Sequence, residues 1–173
     1  MSKNSVEIRR IEPQDAERLR EIYNEYVTQT AITFDVDPLS PAKWTEWMAK
    51  YAEKGRYQCF VAVDGAGPVG WASSSQYKVR AAYDTSVETS VYLAPGREGG
   101  GIGRRLYARL FDALADEDVH RAFAGITAPN PSSVRLHEIF GFKFIGCFEE
   151  VGFKFETYHD VEWYWRPVPL VRS

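Results

Sequence analysis

Apolar positions recur along this chain in two rhythms. Ala16, Leu19, Ile22, Tyr23, Tyr26 and Val27 fall every third or fourth residue, the spacing of one helical face, and Pro13 ahead of them suits a helix start. Trp44, Trp47, Met48 and Tyr51 repeat that spacing, with Ser40 and Pro41 as cap and first turn and Gly55 as the stop. Leu106, Leu110, Phe111 and Leu114 predict a third helix running to about Asp116. PSSVRLHEIF, between Asn130 and Gly141, predicts a fourth. The β-rich or alternating runs 6–10, 57–63, 69–76, 85–93, 119–126, 142–155 and 159–166 read as strands, and the DGAGP turn joins the second and third into a hairpin. TQTAITFDVDP and YKVRAAYD read as connections, and PVPLVRS as a loose tail. The order β-α-α-β-β-β-α-β-α-β-β predicts a mixed α/β (α+β) architecture, one sheet with helices on both faces. No repeat or linker divides residues 1–173, so a single domain is expected, with its core over about 6–167.

Composition narrows the class. The 173 residues are 45 % hydrophobic and 26 % charged, which reads as a soluble globular chain. A net charge of −3 gives no overall bias towards nucleic acid. MSKNSVEIRR lacks the apolar stretch of a secretory signal, and no run of about eighteen apolar residues suggests a membrane span. A cytoplasmic protein is therefore expected. Cys59 and Cys147 are too isolated for a disulfide framework or a zinc site. Aromatic residues reach 14 %, enough for a dense core and part of a pocket. Phe34, alone among polar loop neighbours, reads either as a buried anchor or as a pocket cover.

The candidate chemistry lies between Val87 and Arg105. Gly99, Gly100, Gly101 and Gly103 stand between a strand and a helix, where a backbone free of side chains can approach a ligand closely. The helix beginning near Ile102 offers unpaired N–H groups and a positive dipole end, a site for a phosphate or pyrophosphate. Arg97, Arg104 and Arg105 add positive charge. No Gly-Lys-Ser/Thr follows, which excludes a P-loop, and the third glycine of a dinucleotide fingerprint is missing. Along the preceding strand, Val87, Thr89, Val91 and Leu93 share one face; Ser86, Glu88, Ser90 and Tyr92 share the other. Glu88 is an acid in a strand otherwise rich in Val and Tyr. It is either a solvated edge residue or a carboxylate of raised pKa able to act as a general base.

Strand, proline, arginine, glycines and basic helix together resemble the coenzyme-A loop of the GNAT acetyltransferase family. Its pattern is Arg/Gln-x-x-Gly-x-Gly/Ala, and Gly101-x-Gly103 matches the glycines. Glu98 stands where Arg or Gln is usual, Gly100 where a basic residue is common, and Arg97 is one position early. NPSSVRLHEIFGF resembles the family's Asn-x-x-Ser-x-x-Leu-Tyr-x-x-x-Gly-Phe helix through Asn130, Ser133, Leu136, Gly141 and Phe142, with His137 in the Tyr position. More narrowly, YKVRAAYDTSVETSVYL, SVRLHE and VGFKFETYHDV are similar to the phosphinothricin and methionine sulfone or sulfoximine N-acetyltransferases. The likeness covers nearly the whole chain.

That resemblance implies the GNAT fold, a central twisted and mostly antiparallel sheet. It implies acetyl-CoA as co-substrate, no metal, and direct acetyl transfer to the amino group of a small amino-acid-like substrate. Val91, Tyr92 and Leu93 are expected along the pantetheine arm, and Gly99, Gly100, Gly101, Ile102, Gly103 and Arg104, with Asn130, around the coenzyme. Glu88 is then the general base. His137 is the general acid for the departing thiolate or an orienter of water, and the N–H of Tyr92 or a neighbour is the oxyanion donor. Lys78, Arg80, Tyr83 and Tyr92 are expected to bind the substrate, Arg80 suiting a carboxylate or phosphinate, with Phe34 as a pocket wall. His159 and Asp160 are expected to be a structural pair. A homodimer through the final strands or the aromatic C-terminal segment is implied, and no nucleic-acid or membrane partner. Two other readings remain: a GNAT enzyme for another amino acid, amine or protein N-terminus, and a non-catalytic acyl-CoA-binding module.

Overall fold

Two cores, one on each side of a sheet, follow from the alternation of side chains along its strands. The computed structural model describes residues 5–168. Strands β1 (Glu7–Arg10), β2 (Cys59–Asp64), β3 (Gly67–Gln76), β4 (Ser86–Leu93), β5 (Arg121–Thr127), β6 (Lys143–Lys154) and β7 (Thr157–Pro167) form one sheet. Their order is β1-β2-β3-β4-β5-β7-β6. Every pairing is antiparallel except β4–β5. In β2 and β3, Phe60, Ala62 and Ala72 face one core while Cys59, Val61 and Trp71 face the other, as a period of two requires.

Helices α1 (Ala16–Gln29) and α2 (Pro41–Met48) cover the second of these faces. Leu19 and Ile22 from α1 pack there with Trp44 from α2 and Trp71 from the sheet, all almost wholly buried. Helices α3 (Ile102–Leu114) and α4 (Pro131–Ile139) lie on the first face. Leu106, Tyr107, Leu110 and Leu114 bury the inner side of α3, and Val134 and Leu136 of α4 close the same core.

Local chemistry explains the element ends and three departures from the sequence reading. Pro13 opens a single 3-10 turn, and α1 begins only at Ala16. Asp15 makes the join: its carboxylate accepts from the Glu12 N–H at 2.8 Å and takes both arms of Arg9 at 2.7 Å. Ser40 caps α2 through the Lys43 N–H. That helix stops at Met48, well before Gly55, although Tyr51 still packs against its core. Asn130 caps α4 by accepting from the Ser133 N–H. At the C-terminus, Pro167 belongs to β7 and Val168 is buried, so the expected loose tail is ordered there; residues 169–173 lie outside the described residues. Among the described residues no helix is long and apolar enough to cross a membrane.

The end of β4 is held from two sides. Gly70 of β3 pairs with Leu93, and a Cβ there would sit 2.5 Å from the Tyr92 carbonyl oxygen and 2.6 Å from a Leu93 methyl. From α1, the Tyr26 hydroxyl donates to the Leu93 carbonyl at 2.7 Å. Gly70→Ala must therefore push β4 away from β3, an overpacking cost of about 2 kcal/mol. Urea denaturation is expected to show that loss with an unchanged slope.

Candidate active site

β4 and β5 are hydrogen-bonded neighbours over three residues only, Ser86–Glu88 against Arg121–Phe123. Beyond Glu88 the strands diverge. A small cavity of about 50 Å³ opens between them, lined by Thr89 to Tyr92 and Ala124 to Thr127, with Asn130, Ser133 and His137 of α4 and Ile32 closing it. Next to it runs an apolar groove of about 670 Å³ between α1, the glycine loop, α3 and α4. Ile32, Val91, Asn130 and Ser133 line both spaces, so the groove and the cavity meet there.

The glycine loop forms one end of the groove. Gly99 and Gly101 have φ of +79° and +74°, a region costly for residues with a Cβ. Gly101 is the N-cap of α3 and has no side chain to satisfy the first-turn N–H groups, which leaves them for a ligand. Gly99, Gly101, Ile102, Gly103 and Arg104 line the groove, with Val91 and Leu93; Gly100 does not. A Cβ on Gly103 would lie 3.3 Å from Leu136, so that glycine sets the approach of α3 to α4. The three arginines are divided. Arg97 pairs with Asp64 at 2.5 Å, Arg105 donates to the Val6 carbonyl at 2.6 Å, and Arg104 lines the groove. Arg135 adds a second cation, and Glu25 and Glu98 are acids on the same lining. These N–H groups, cations and apolar walls suit a diphosphate joined to a long, mostly apolar arm.

Glu88 is half-buried in a central strand, which excludes the edge-strand alternative. Its carboxylate has no hydrogen-bond or ion-pair partner among the described residues, and burial alone pushes its pKa above the ordinary 4.5. It lines neither space directly. Ser90, two residues on and on the same face, lines the small cavity, so Glu88 stands about 7 Å upstream along the strand.

His137 is 3 % exposed and lines the small cavity. Its Nδ1 lies 2.7 Å from the Ser133 carbonyl oxygen, and its Nε2 lies 2.8 Å from the Tyr107 hydroxyl. A carbonyl only accepts, so Nδ1 carries the proton. Burial lowers the pKa from 6.5 to about 4, so the ring is neutral, and Nε2 accepts from Tyr107. A neutral ring, hydrogen-bonded at both nitrogens, thus stands where the resemblance implies a general acid or an orienter of water.

The other expected residues are distributed more widely. Tyr92 lines the small cavity, but its ring packs into the α1–α2 core, stacked on Trp71 at 5.0 Å. Lys78, Arg80 and Tyr83 are exposed in the β3–β4 connection and line neither space. Lys78 lies over the rings of Tyr77 and Tyr83, and Tyr77 stacks on Phe123, the β5 partner of Glu88. These residues therefore sit at the Glu88 end of β4, beyond the cavity. Phe34 lies against Gly152 and His159 of the β6–β7 hairpin. His159 and Asp160 bind separate main-chain groups, the Lys154 carbonyl and the Glu150 N–H, and not each other. Sequence reasoning missed Tyr26, Thr30 and Ile32, and the α4 residues Ser132, Arg135 and Ile139. The signal in α4 was available: 132, 135, 136 and 139 share one helical face, and Ile139 is a large apolar residue left exposed.

A groove for a diphosphate and an apolar arm, meeting a small polar cavity where a parallel strand pair diverges, defines an acyl-coenzyme-A transferase layout. Residues 8–163 match the acetyltransferase (GNAT) domain, and the chain belongs to that family. It is 50 % identical over 165 residues to a phosphinothricin N-acetyltransferase of Streptomyces coelicolor, covering 94 % of this chain and 96 % of that one. It is 30 % identical to an L-methionine sulfoximine/L-methionine sulfone acetyltransferase of Salmonella typhimurium, over 89 % and 90 % of the two chains. Its fold is similar to the crystal structure of a GNAT phosphinothricin acetyltransferase from Sinorhizobium meliloti in complex with AcCoA. There the TM-score is 0.86, with 32 % identity over 94 % of this chain and 88 % of that one.

The state of His137 has a measurable consequence. In the unfolded chain its ring takes a proton below about pH 6.5; in the folded chain it does so only near pH 4. Acid therefore favours unfolding across that window. Wild-type stability is expected to fall by about 2 kcal/mol more than that of His137→Gln between pH 7 and pH 5, measured by urea denaturation at the two pH values.

Proposed function

We propose that this protein transfers the acetyl group of acetyl-CoA to the amino group of a small amino-acid-like acceptor of the phosphinothricin, methionine sulfoximine or methionine sulfone type. The observation that carries the mechanism is the unpaired, half-buried carboxylate of Glu88 just below the point where β4 and β5 separate. An acceptor arrives as an ammonium and must lose a proton before its nitrogen attacks the thioester carbonyl. Glu88 takes that proton through a water, which fits its place upstream of the cavity. The C–N bond forms as the C–S bond breaks; the attacking nitrogen gives up a second proton as the amide forms, CoA leaves as thiolate and takes up one proton, and one proton is released to solvent overall. Main-chain groups of β4 left without a β5 partner after Glu88 stabilise the oxygen as charge develops.

His137 serves in this scheme as a positioning residue. Its bond to Ser133 and its contact with Tyr107 fix the first turns of α4, where Asn130 and Ser133 line both spaces. Lys78, Arg80 and Tyr83, next to Tyr77 and Phe123, receive the acceptor's anionic group at the Glu88 end. The relatives' names support that class of acceptor. The same features favour an enzyme over a non-catalytic acyl-CoA-binding module, which has no use for an unpaired carboxylate. We also place the protein in the cytoplasm.

CoA thiol release from acetyl-CoA, with phosphinothricin, methionine sulfoximine, methionine sulfone, ordinary amino acids and N-terminal peptides as acceptors, tests the assignment. Release with the first three is expected; release with peptides alone sinks the acceptor class. Glu88→Gln is expected to lower kcat at least a hundredfold while acetyl-CoA binding by calorimetry is kept. The acid limb of the wild-type pH profile, above pH 4.5, should vanish in that variant.

A homodimer completes the reading. β6 is the edge of the sheet, and it exposes Phe144, Ile145, Phe148, Val151 and Phe153, each by more than half. An edge strand with that much apolar surface is normally covered, and a second copy of the same face is the simplest cover. Sedimentation should find a dimer, and Phe148→Asp with Val151→Asp should give a folded monomer.

A further inference from the structure

One buried cation has no part in the mechanism above. Lys154, at the end of β6, is 4 % exposed. Its ammonium has no carboxylate partner among the described residues. It donates to the Thr33 carbonyl at 2.8 Å and lies over the Phe155 ring at 5.1 Å. Burial lowers its pKa, opposed in part by the nearby Asp35 charge, as for an ammonium drawn out of water.

What it holds is the connection between α1 and α2, clamped residue by residue. The Thr33 carbonyl takes the Lys154 ammonium, and the Thr33 hydroxyl lies 2.8 Å from the Tyr23 hydroxyl. Phe34 lies so close over Gly152 that a Cβ there would come within 2.1 Å of the ring. Asp35 accepts from Tyr23 at 2.7 Å. On the other side, the Thr30 hydroxyl donates to the Tyr26 carbonyl and accepts from the Ile32 N–H. Ile32, between these two anchors, lines both the groove and the small cavity, yet it is 43 % exposed. Its own side chain has little to hold it, so its position depends on the anchors.

We propose that Lys154 is a positioning residue for acceptor binding: by holding the Thr33 carbonyl it keeps Ile32 at the junction of groove and cavity. The role rests on the acetyltransferase reading for its kinetic consequence, not for its structural one. The groove's diphosphate end is built from α3 and the glycine loop and does not involve Lys154. Loss of the clamp therefore falls on the small cavity, which Ile32 helps to close, more than on the much larger groove that Ile32 only borders.

Two variants attack the clamp by unrelated means. Lys154→Met removes the ammonium and keeps the length and apolar stem. Gly152→Ala leaves Lys154 intact and displaces Phe34 with a Cβ. Both are expected to raise the KM for phosphinothricin about tenfold, with kcat and the KM for acetyl-CoA changed less than about threefold. Lys154→Arg, which keeps the charge and donors, should recover part of the loss. Hydrogen exchange of amides 31–35 should quicken in both damaging variants, while that of α3 stays as in the wild type. The proposal is overturned if exchange in 31–35 is unchanged in Lys154→Met. It is also overturned if the KM for acetyl-CoA rises as much as that for the acceptor, or if only the melting temperature moves. Should the wild type acetylate none of the acceptors, the acceptor reading fails by itself, and the exchange measurement still decides whether Lys154 holds the loop.

Discussion

The site depends on the parting of β4 and β5. Main-chain N–H and C=O groups in a sheet interior are obliged to pair, and here the pairing stops at Glu88 and Phe123. Past that point Ser90 to Tyr92 and Ala124 to Thr127 face a cavity instead of each other. The opening persists because β4 is tied elsewhere: to β3 from Val87 to Leu93, to Gly70 at close range, and to Tyr26 through the Leu93 carbonyl. On the other strand, β5 is paired with β7 from Arg121 to Thr127. Two strands, each satisfied on its outer side, leave unpaired groups between them for a ligand to meet.

One strand then serves two environments. The odd residues of β4, Val87, Thr89, Val91 and Leu93, belong with α3 and α4, where Val91 and Leu93 face the apolar groove. The even residues look the other way, and Glu88 lies among Tyr77, Phe123 and the connection bearing Lys78. In the function proposed above, donor and acceptor approach from opposite sides and meet where the strands separate. A one-residue slip of β4 would exchange the two faces, which is why so much of the surrounding structure fixes its register.

The sheet, its helices and the faces of β4 were legible because they are local: spacing, caps and alternation are properties of neighbours in the chain. The glycine loop was legible for the same reason, since Gly99 and Gly101 occupy backbone conformations that other residues avoid. What was not legible depends on distant partners. Of three neighbouring arginines, the sequence does not say that Asp64 occupies Arg97 and the Val6 carbonyl occupies Arg105. Nor does it place Ile32 between groove and cavity, because that follows from contacts reaching across to Lys154 and Gly152. α2 ended early because the apolar spacing through Tyr51 reflects packing on one core, which a turn provides as well as a helix.

His137 shows how context changes chemistry without changing the residue. In the helix motif its type suggests a proton donor. In the fold, the Ser133 carbonyl fixes its tautomer, Tyr107 occupies its other nitrogen, and burial holds it neutral. Burial moves Glu88 in the opposite sense, upwards, as desolvation must for an acid and a base. Both shifts favour the neutral form of the group concerned. When Glu88 is ionised, no imidazolium at His137 opposes its charge. For the transfer proposed above, that arrangement suits an incoming ammonium that must give up a proton. A neutral histidine is thus the form that suits a carboxylate base acting on an amine.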